Sequence, residues 1–532
     1  MTASTVDPVV TWRAFEQASR PDVERWMQQI EAPAATQTER LMTLLEANRD
    51  SVFGRRHGFS SIRTPEQYRE RVPVQSAADF LPWLERASND AQSVLTSQPP
   101  QFFERTSGST ARQKLIPYTP SFLRELQTAM IVWLADMIRV CPGIAQGRAY
   151  WSMSPSLQPG GITANGMRIG SASDLEYLCG CSAQALASTL IVPSFSDDLS
   201  GGTSRWRYET LRSLVADETL TLLSVWSPTF LASLLRPLFS PADAQSAHEL
   251  AALETELPTA RARALRRAVE AGHCGGLWPR LAAVSCWLDG PSRVYAQALH
   301  ERFPGVQWLA KGLFATEGVV SIPYGTEPGC ALAIGSHYLE FVRDDGRVCD
   351  VSGLSTGDEA QVVMTTGGGL YRYALGDRVR VTGKSGRTPR VSFLGRATSC
   401  SDLVGEKLDE AIVSEALQPV FARGASACIV PDRLADVPHY VLLLAGAQED
   451  EAHALGSEVE GALRRVFHYG HARRLGQLGA LRVGFVGTAP SALGERLQLA
   501  AESAGLRAGD VKASALVSQQ TLAQTLLSMD SE

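Results

Sequence analysis

The chain has 532 residues, 44% hydrophobic and 20% charged, with 50 Lys and Arg against 56 Asp and Glu for a net charge of −6. That length allows about three to five modules, or one large body with a satellite, and the composition excludes a disordered chain. The acidic balance leaves no broad basic field for wrapping nucleic acid, and 45 Gly and 28 Pro without fixed spacing exclude collagen.

Residues 10–48 read as helical, with apolar positions such as Leu41, Leu44 and Leu45. Helix-like segments follow at 77–87 and 121–140. From about Gly147 short apolar runs alternate with helical stretches: 186–192 before 208–217, 221–225 before 229–238, and 282–287 before 292–303. This alternation predicts a mostly parallel sheet covered by helices. Between 335 and 383, strands at 337–343, 360–365 and 378–382 are separated by turn residues and predict an antiparallel, barrel-like subdomain. Beyond a boundary at 404–409 the order is strand, strand, helix, strand, helix, strand, at 427–430, 440–445, 452–467, 481–486, 492–504 and 512–517. A stretch of that size folds as one small domain. The expected layout is an α/β protein with α+β elements: a large body over 1–403, a hinge at 404–409 and a small cap over 410–532.

The opening MTASTVDPVV lacks the basic start and apolar core of a signal peptide. The densest apolar helical stretch, 129–138, is too short to span a bilayer and contains Asp136. A cytoplasmic monomer is expected, with no membrane and no nucleic acid as partners. Nine Cys form no Cys-x-x-Cys pair, and the nearest two, Cys179 and Cys181, are read as reduced and incidental.

Four segments carry candidate chemistry. Thr106-Ser107-Gly108-Ser109-Thr110 places four hydroxyls around a glycine, with Lys114 four residues on. Such a loop offers N–H groups, hydroxyls and an ammonium to a polyphosphate, although it lacks the Gly-Lys-Ser/Thr of a Walker loop. The alternative is a polar turn capping the helix after Pro120. In Lys311-Gly-Leu-Phe-Ala-Thr316-Glu317-Gly318 an apolar stretch ends in a carboxylate that could hold Mg²⁺ beside phosphates; the alternative is a glutamate capping a turn. Gly367-Gly-Gly-Leu-Tyr-Arg-Tyr-Ala-Leu-Gly-Asp377 ends in an aspartate suited to two ribose hydroxyls, or merely placed in a hairpin turn. Arg396 and Lys407 are cations near the expected hinge that could reach a nucleotide, or surface charges around a linker. Elsewhere Trp133 and Met137 lie one helical turn apart and suit either core or acyl-pocket lining, and Arg124 suits either a polar group of an acid or the surface.

Taken jointly and in order, these motifs carry a resemblance. The stretch from Thr106 to Lys114 resembles the phosphate loop of the adenylate-forming superfamily, with Ala111 for the usual Gly and Gln113 for the usual Pro. Over about residues 38–518 the chain resembles the Gretchen Hagen, or auxin-responsive, acyl acid amido synthetase family. The further matches are Leu45-Glu-Ala-Asn48, Phe53-Gly-Arg-Arg-His-Gly58, Arg71-Val-Pro-Val74, Ser285-Cys-Trp287, Lys311-Gly-Leu with Ala315-Thr-Glu-Gly, and Gly369-Leu-Tyr-Arg-Tyr through Gly395-Arg396 to Glu406-Lys407.

The resemblance implies an adenylate-forming fold and an enzyme that uses ATP and Mg²⁺ to convert a carboxylic acid to an acyl-adenylate. The acyl group would then pass to an amine, usually of an amino acid. It implies that Thr106 to Thr110 cradle the phosphates, that Glu317 holds Mg²⁺ with Thr316 near the α-phosphate, and that Asp377 binds the ribose. Arg396 and Lys407 would contact ribose and phosphate, and Asp289-Gly290 would lie against the adenine. The wider superfamily uses a C-terminal lysine for adenylation, and Lys512 is the only lysine after Lys407. The rival readings are an acyl-thioester ligase using coenzyme A or a carrier protein, and a non-catalytic nucleotide-binding scaffold.

Overall fold

The computed structural model describes residues 7–90, 93–106, 114–152, 161–171, 186–193, 202–396, 400–435, 437–504 and 513–529. The chain packs as two compact units, one of Met1–Ala145, Gln158–Thr189 and Ala310–Leu394, the other of Gln146–Leu157, Leu190–Leu309 and Gly395–Glu532.

In the first unit the helical stretch expected at 10–48 is two helices, Pro8–Glu31 and Pro33–Ala47. The break falls at Ala32 because Pro33 has no N–H to continue the ladder and suits a first helical turn. The Ala77–Asn89 helix opens with a Ser76–Asp79 capping box, and Pro120–Val140 with Thr119, whose hydroxyl accepts from Phe122 N–H. Seven strands form one sheet in the spatial order Ser321–Ile322, Cys330–Leu332, Thr388–Arg396, Tyr373–Ser385, Glu359–Thr365, Tyr338–Val342 and Val348–Asp350. Its pairing is antiparallel, as the turn-rich texture predicts. Phe53 stacks on Tyr371 at 4.7 Å and meets Phe59 and Phe80 at 6.0 Å, all of them buried. Each such ring contributes about 1.5–3 kcal/mol by leaving water.

In the second unit Arg148–Trp151, Leu220–Ser224, Ala283–Ser285 and Gln307–Leu309 form a parallel sheet in that order. The helices Gly202–Ala216, Pro228–Leu234 and Ser292–His300 alternate with these strands along the chain, as expected. The strand expected at 186–192 is corrected: residues 186–189 are helical and Leu190 makes only a single bridge to Ala149. A short apolar run does not by itself distinguish a strand from a buried helical turn.

The same unit holds a second sheet, with Ser426–Asp432 and His439–Ala445 antiparallel and Arg482–Gly487 parallel to the latter. One face packs Ala427, Ile429, Leu442 and Leu444 with Leu455, Val459 and Leu463; the other packs Cys428, Val430 and Leu443 with Leu493, Leu497 and Leu526. Burial on both faces explains why these strands read as continuous apolar runs. The final strand expected at 512–517 is reduced to a bridge between Leu516 and Ile429. Among the described residues no helix is long and apolar enough to cross a membrane. The described cysteines are free thiols, and Cys179 and Cys181 lie outside the described residues.

Candidate active site

Strands Phe102–Arg105 and Leu115–Tyr118 pair antiparallel, from Phe102 opposite Tyr118 to Arg105 opposite Leu115. The serine- and threonine-rich segment therefore connects two paired strands. Thr106 and Lys114 close its base: Thr106 N–H donates to Lys114 O at 3.0 Å, and Lys114 N–H to Thr106 Oγ1 at 3.4 Å. Ser107, Gly108, Ser109 and Thr110 lie outside the described residues. The helix that starts at Pro120 is capped by Thr119.

Lys114 follows that segment, with its ammonium 2.7 Å from the Tyr373 hydroxyl and 3.5 Å from Glu317 Oε1. The Lys114 and Glu317 side chains are 13% and 11% exposed, so this ion pair is weakly screened by solvent. Glu317 belongs to a minimal hairpin: Phe314–Ala315 pairs with Gly318–Val319, leaving Thr316 and Glu317 as the turn. The Tyr118 hydroxyl donates to Thr316 O at 3.0 Å. Gly318 has φ 153°, and a Cβ there would sit 2.7 Å from His337 Nε2 and 2.9 Å from Met364 Cε. The turn thus needs glycine after its carboxylate. As a hard oxygen donor in a largely buried spot, Glu317 fits Mg²⁺, which takes one or two carboxylates and completes its shell with phosphates and water. Among the described residues no cluster of three His, Cys, Asp or Glu side chains could hold a metal by itself.

Asp377 is 1% exposed and lies within the long Tyr373–Ser385 strand. The pairing there jumps from Val363 opposite Ala374 to Gln361 opposite Arg378, so Asp377 sits in an irregularity of the strand, just after Gly376 with φ 87°. Such bulges re-aim side chains beside functional sites. The aspartate is therefore not in a hairpin turn. Tyr373 begins the same strand, so one element carries both the hydroxyl at Lys114 and the carboxylate of Asp377.

The acyl-side candidates separate. Arg124 is exposed, whereas Trp133 and Met137 are buried at 1% and 4%. Trp133 packs on Phe314 with centroids 5.5 Å apart, and the Lys311 ammonium lies 4.9 Å over its ring. This helix thereby supports the strand that leads into Glu317.

The remaining candidates belong to the second unit. Asp289 and Gly290 follow the carboxyl end of the parallel strand Ala283–Ser285, where ligands of parallel sheets gather. Gly290 has φ 57° and precedes the Ser292–His300 helix. Arg396 ends the Thr388–Arg396 strand near Glu410. Burial pushes the Glu410 carboxyl above its ordinary value, against bonds from Ser514, Ala515 and Leu516 and the Arg396 guanidinium, which favour the anion. Lys407 is exposed and has the left-handed φ of 48°, rare for a non-glycine residue. It is held there by its neighbour: the buried Glu406 carboxylate accepts from Leu403 N–H at 2.7 Å, from Val404 N–H at 2.8 Å and from the Tyr440 hydroxyl. Lys512 lies outside the described residues.

Tyr373 is a candidate site residue that the sequence did not single out. It stood inside a quoted motif, but only the fold brings its hydroxyl to Lys114, 259 positions away in sequence.

The GH3 family N-terminal domain matches residues 23–308, more than half of the chain, and the GH3 family central domain matches 330–396. A probable indole-3-acetic acid-amido synthetase, GH3.12 of Oryza sativa subsp. japonica, is 25% identical, over 87% of this chain and 89% of its own. Indole-3-acetic acid-amido synthetase GH3.2 of Arabidopsis thaliana is 22% identical, over 80% and 86%. The fold matches that of the AtGH3.15 acyl acid amido synthetase in complex with 2,4-DB, with a TM-score of 0.78 over 96% of each chain at 17% identity. It also matches a 2-hydroxyisobutyryl-CoA ligase in the postadenylation state, with a TM-score of 0.54 over 95% and 94% at 14% identity. With the family's two domain signatures in order and its fold over nearly the whole length, the chain belongs to the GH3 family.

Proposed function

We propose that this chain is an ATP-dependent acyl acid amido synthetase. A carboxylate oxygen attacks the α-phosphorus of ATP and pyrophosphate leaves. The nitrogen of an amine, that of an amino acid in this reading, then attacks the acyl carbon and AMP leaves, giving an amide. The observation that carries the reading is the cluster of Lys114, Glu317 and Tyr373 at the base of the serine- and threonine-rich loop.

The physics assigns the labour. An anionic acid must attack an anionic phosphate, so cations and oriented donors at the reacting centre dominate the rate. Lys114, already held beside Glu317 by the Tyr373 hydroxyl, binds phosphate oxygens as the loop from Thr106 to Thr110 wraps them. Glu317 is the residue that would hold Mg²⁺, which when bound supplies charge neutralisation next to the phosphates. Thr316 lies in the same turn and serves the α-phosphate side. Asp377 accepts from the ribose hydroxyls, and Asp289 with Gly290 borders the adenine. Arg396 contributes a cation from the end of the Thr388–Arg396 strand and Lys407 one from the segment 404–409, read as the hinge between a body over 1–403 and a cap over 410–532, and Lys512 is the cap's candidate for adenylation. Arg124, Trp133 and Met137 mark the helix on the acid's side, with Trp133 and Met137 acting as its packed support. The enzyme is read as a cytoplasmic monomer.

The test is product analysis with ATP, Mg²⁺ and panels of aryl, indolyl and aliphatic acids, offered pooled amino acids or coenzyme A. Acid-dependent pyrophosphate release with amide products is the expected result. Thioester products would move the chain to the acyl-thioester ligases, and ATP binding without pyrophosphate release for any acid would make it a scaffold.

A further inference from the structure

We infer that Arg40, Glu125 and His337 form a positioning network that sets the Glu317 carboxylate through the amide of Val319. The inference rests on the reading of Glu317 as the carboxylate that serves Mg²⁺ and the phosphates.

The three side chains come from separate elements of the first unit. Arg40 lies on the Pro33–Ala47 helix, Glu125 on Pro120–Val140, and His337 immediately precedes Tyr338–Val342. Glu125 and His337 are almost wholly buried, with side chains 2% and 0% exposed. Glu125 Oε1 is bound by Arg40, and Oε2 accepts from His337 Nδ1 at 2.6 Å and from Gly367 N–H at 2.9 Å. On the far side of the ring, Val319 N–H donates to His337 Nε2 at 3.1 Å. A backbone N–H only donates, so Nε2 carries the lone pair and Nδ1 the proton, which points at Glu125. The ring also stacks on Phe122 at 5.6 Å. Both ring nitrogens of His337 and both carboxylate oxygens of Glu125 are engaged, which orients the imidazole as a carboxylate orients a ligand histidine.

The hairpin needs such an anchor. Its strands are two residues each, too short to hold a turn by their own ladder. Among the described residues two side chains bond the backbone of this hairpin: the Tyr118 hydroxyl at Thr316 O, 3.0 Å, and His337 Nε2 at Val319 N, 3.1 Å. Glu317 lies between the two tied residues. The absent Cβ of Gly318 lets the imidazole approach, since a methyl there would lie 2.7 Å from Nε2. The same Glu125 oxygen that orients the ring also bonds Gly367, in the glycine turn before the strand of Tyr373 and Asp377. One buried carboxylate thus ties together the bases of two segments that carry candidate site residues.

The experiment compares the wild type with His337→Phe and His337→Gln. Phe keeps the ring stacking and removes the acceptor, whereas the Gln amide oxygen reaches the Nε2 position. Three quantities are read: thermal melting, amide hydrogen exchange across 314–320, and the Mg²⁺ dependence of acid-dependent pyrophosphate release. In folded His337→Phe the Val319 amide should exchange at least about tenfold faster, and half-activating Mg²⁺ should rise by about tenfold, the usual scale for losing an orienting partner. ATP binding without Mg²⁺ should be unchanged, and His337→Gln should restore both shifted quantities. A folded His337→Phe with wild-type exchange and Mg²⁺ dependence overturns the inference, as does a folded His337→Gln that restores neither. Should His337→Phe not fold, Arg40→Met decides, because it removes only the partly exposed partner of Glu125 Oε1: the same two shifts support the network's role, and wild-type values overturn it. A wild type without acid-dependent pyrophosphate release would defeat the functional reading instead, while amide exchange would still report on the clamp.

Discussion

The Lys114 ammonium is shared between a neutral hydroxyl and a carboxylate, and the two partners should respond differently to removal. Tyr373→Phe deletes the hydroxyl at 2.7 Å and should raise the KM for ATP about fivefold, equivalent to about 1 kcal/mol, in steady-state assays. Glu317→Gln should lower the rate of pyrophosphate release by about 10²–10³-fold while changing nucleotide affinity less than tenfold, because it removes stabilisation that matters most as charge develops. Unchanged release would take Glu317 out of the mechanism. Asp377→Ala should raise the KM for ATP about 10–100-fold, the loss of bonds to a charged acceptor, with little change in melting. The residue types were legible in the sequence: hydroxyls with a lysine, a carboxylate between Thr316 and Gly318, and an aspartate after Gly376. Their partners were not. Tyr373 stands 259 positions from Lys114 and His337 stands 212 from Glu125, and no local pattern encodes contacts at such separation.

Among the elements, the Glu317 hairpin and the Glu406–Lys407 turn are both backbone devices that present one charged side chain. Gly318→Ala should destabilise the fold by about 1–3 kcal/mol, read from urea or thermal unfolding, because a Cβ collides with His337 and Met364 at a strained φ. Lys407→Gly should do the reverse. At φ 48° glycine relieves backbone strain, so melting should hold or rise while pyrophosphate release falls. A melting point well below wild type would show that the lysine side chain, not the backbone, holds that turn. Elements with strong periodicity or caps were predictable: Pro120–Val140 and Ala77–Asn89 begin at clear capping residues, and the strands of the parallel sheet follow the alternation of apolar runs and helices. The runs at 186–192 and 512–517 failed as strands because hydrophobicity marks burial and not pairing, and each contributes one bridge.

On the scale of the whole molecule, the second unit draws its parts from three separated stretches of chain, an arrangement that linear reading does not anticipate. Within it the Ser491–Ser503 helix docks on Pro228–Leu234: Gln498 Nε2 donates to Thr229 Oγ1 at 3.0 Å, and Gly494 permits contact with Thr229 and Tyr295. In the proposed cycle the C-terminal part must shield an acyl-adenylate that water would hydrolyse, so its packing within this unit bears on how the intermediate is protected. All of this depends on one chemical event, the transfer of AMP to a carboxylate. Acid-dependent exchange of labelled pyrophosphate into ATP measures that event without reference to the acceptor. Exchange with at least one acid of the panel is expected in the wild type, and its loss by about 10²-fold or more in Glu317→Gln. Absence of exchange with every acid, or equal exchange in the two proteins, would contradict it.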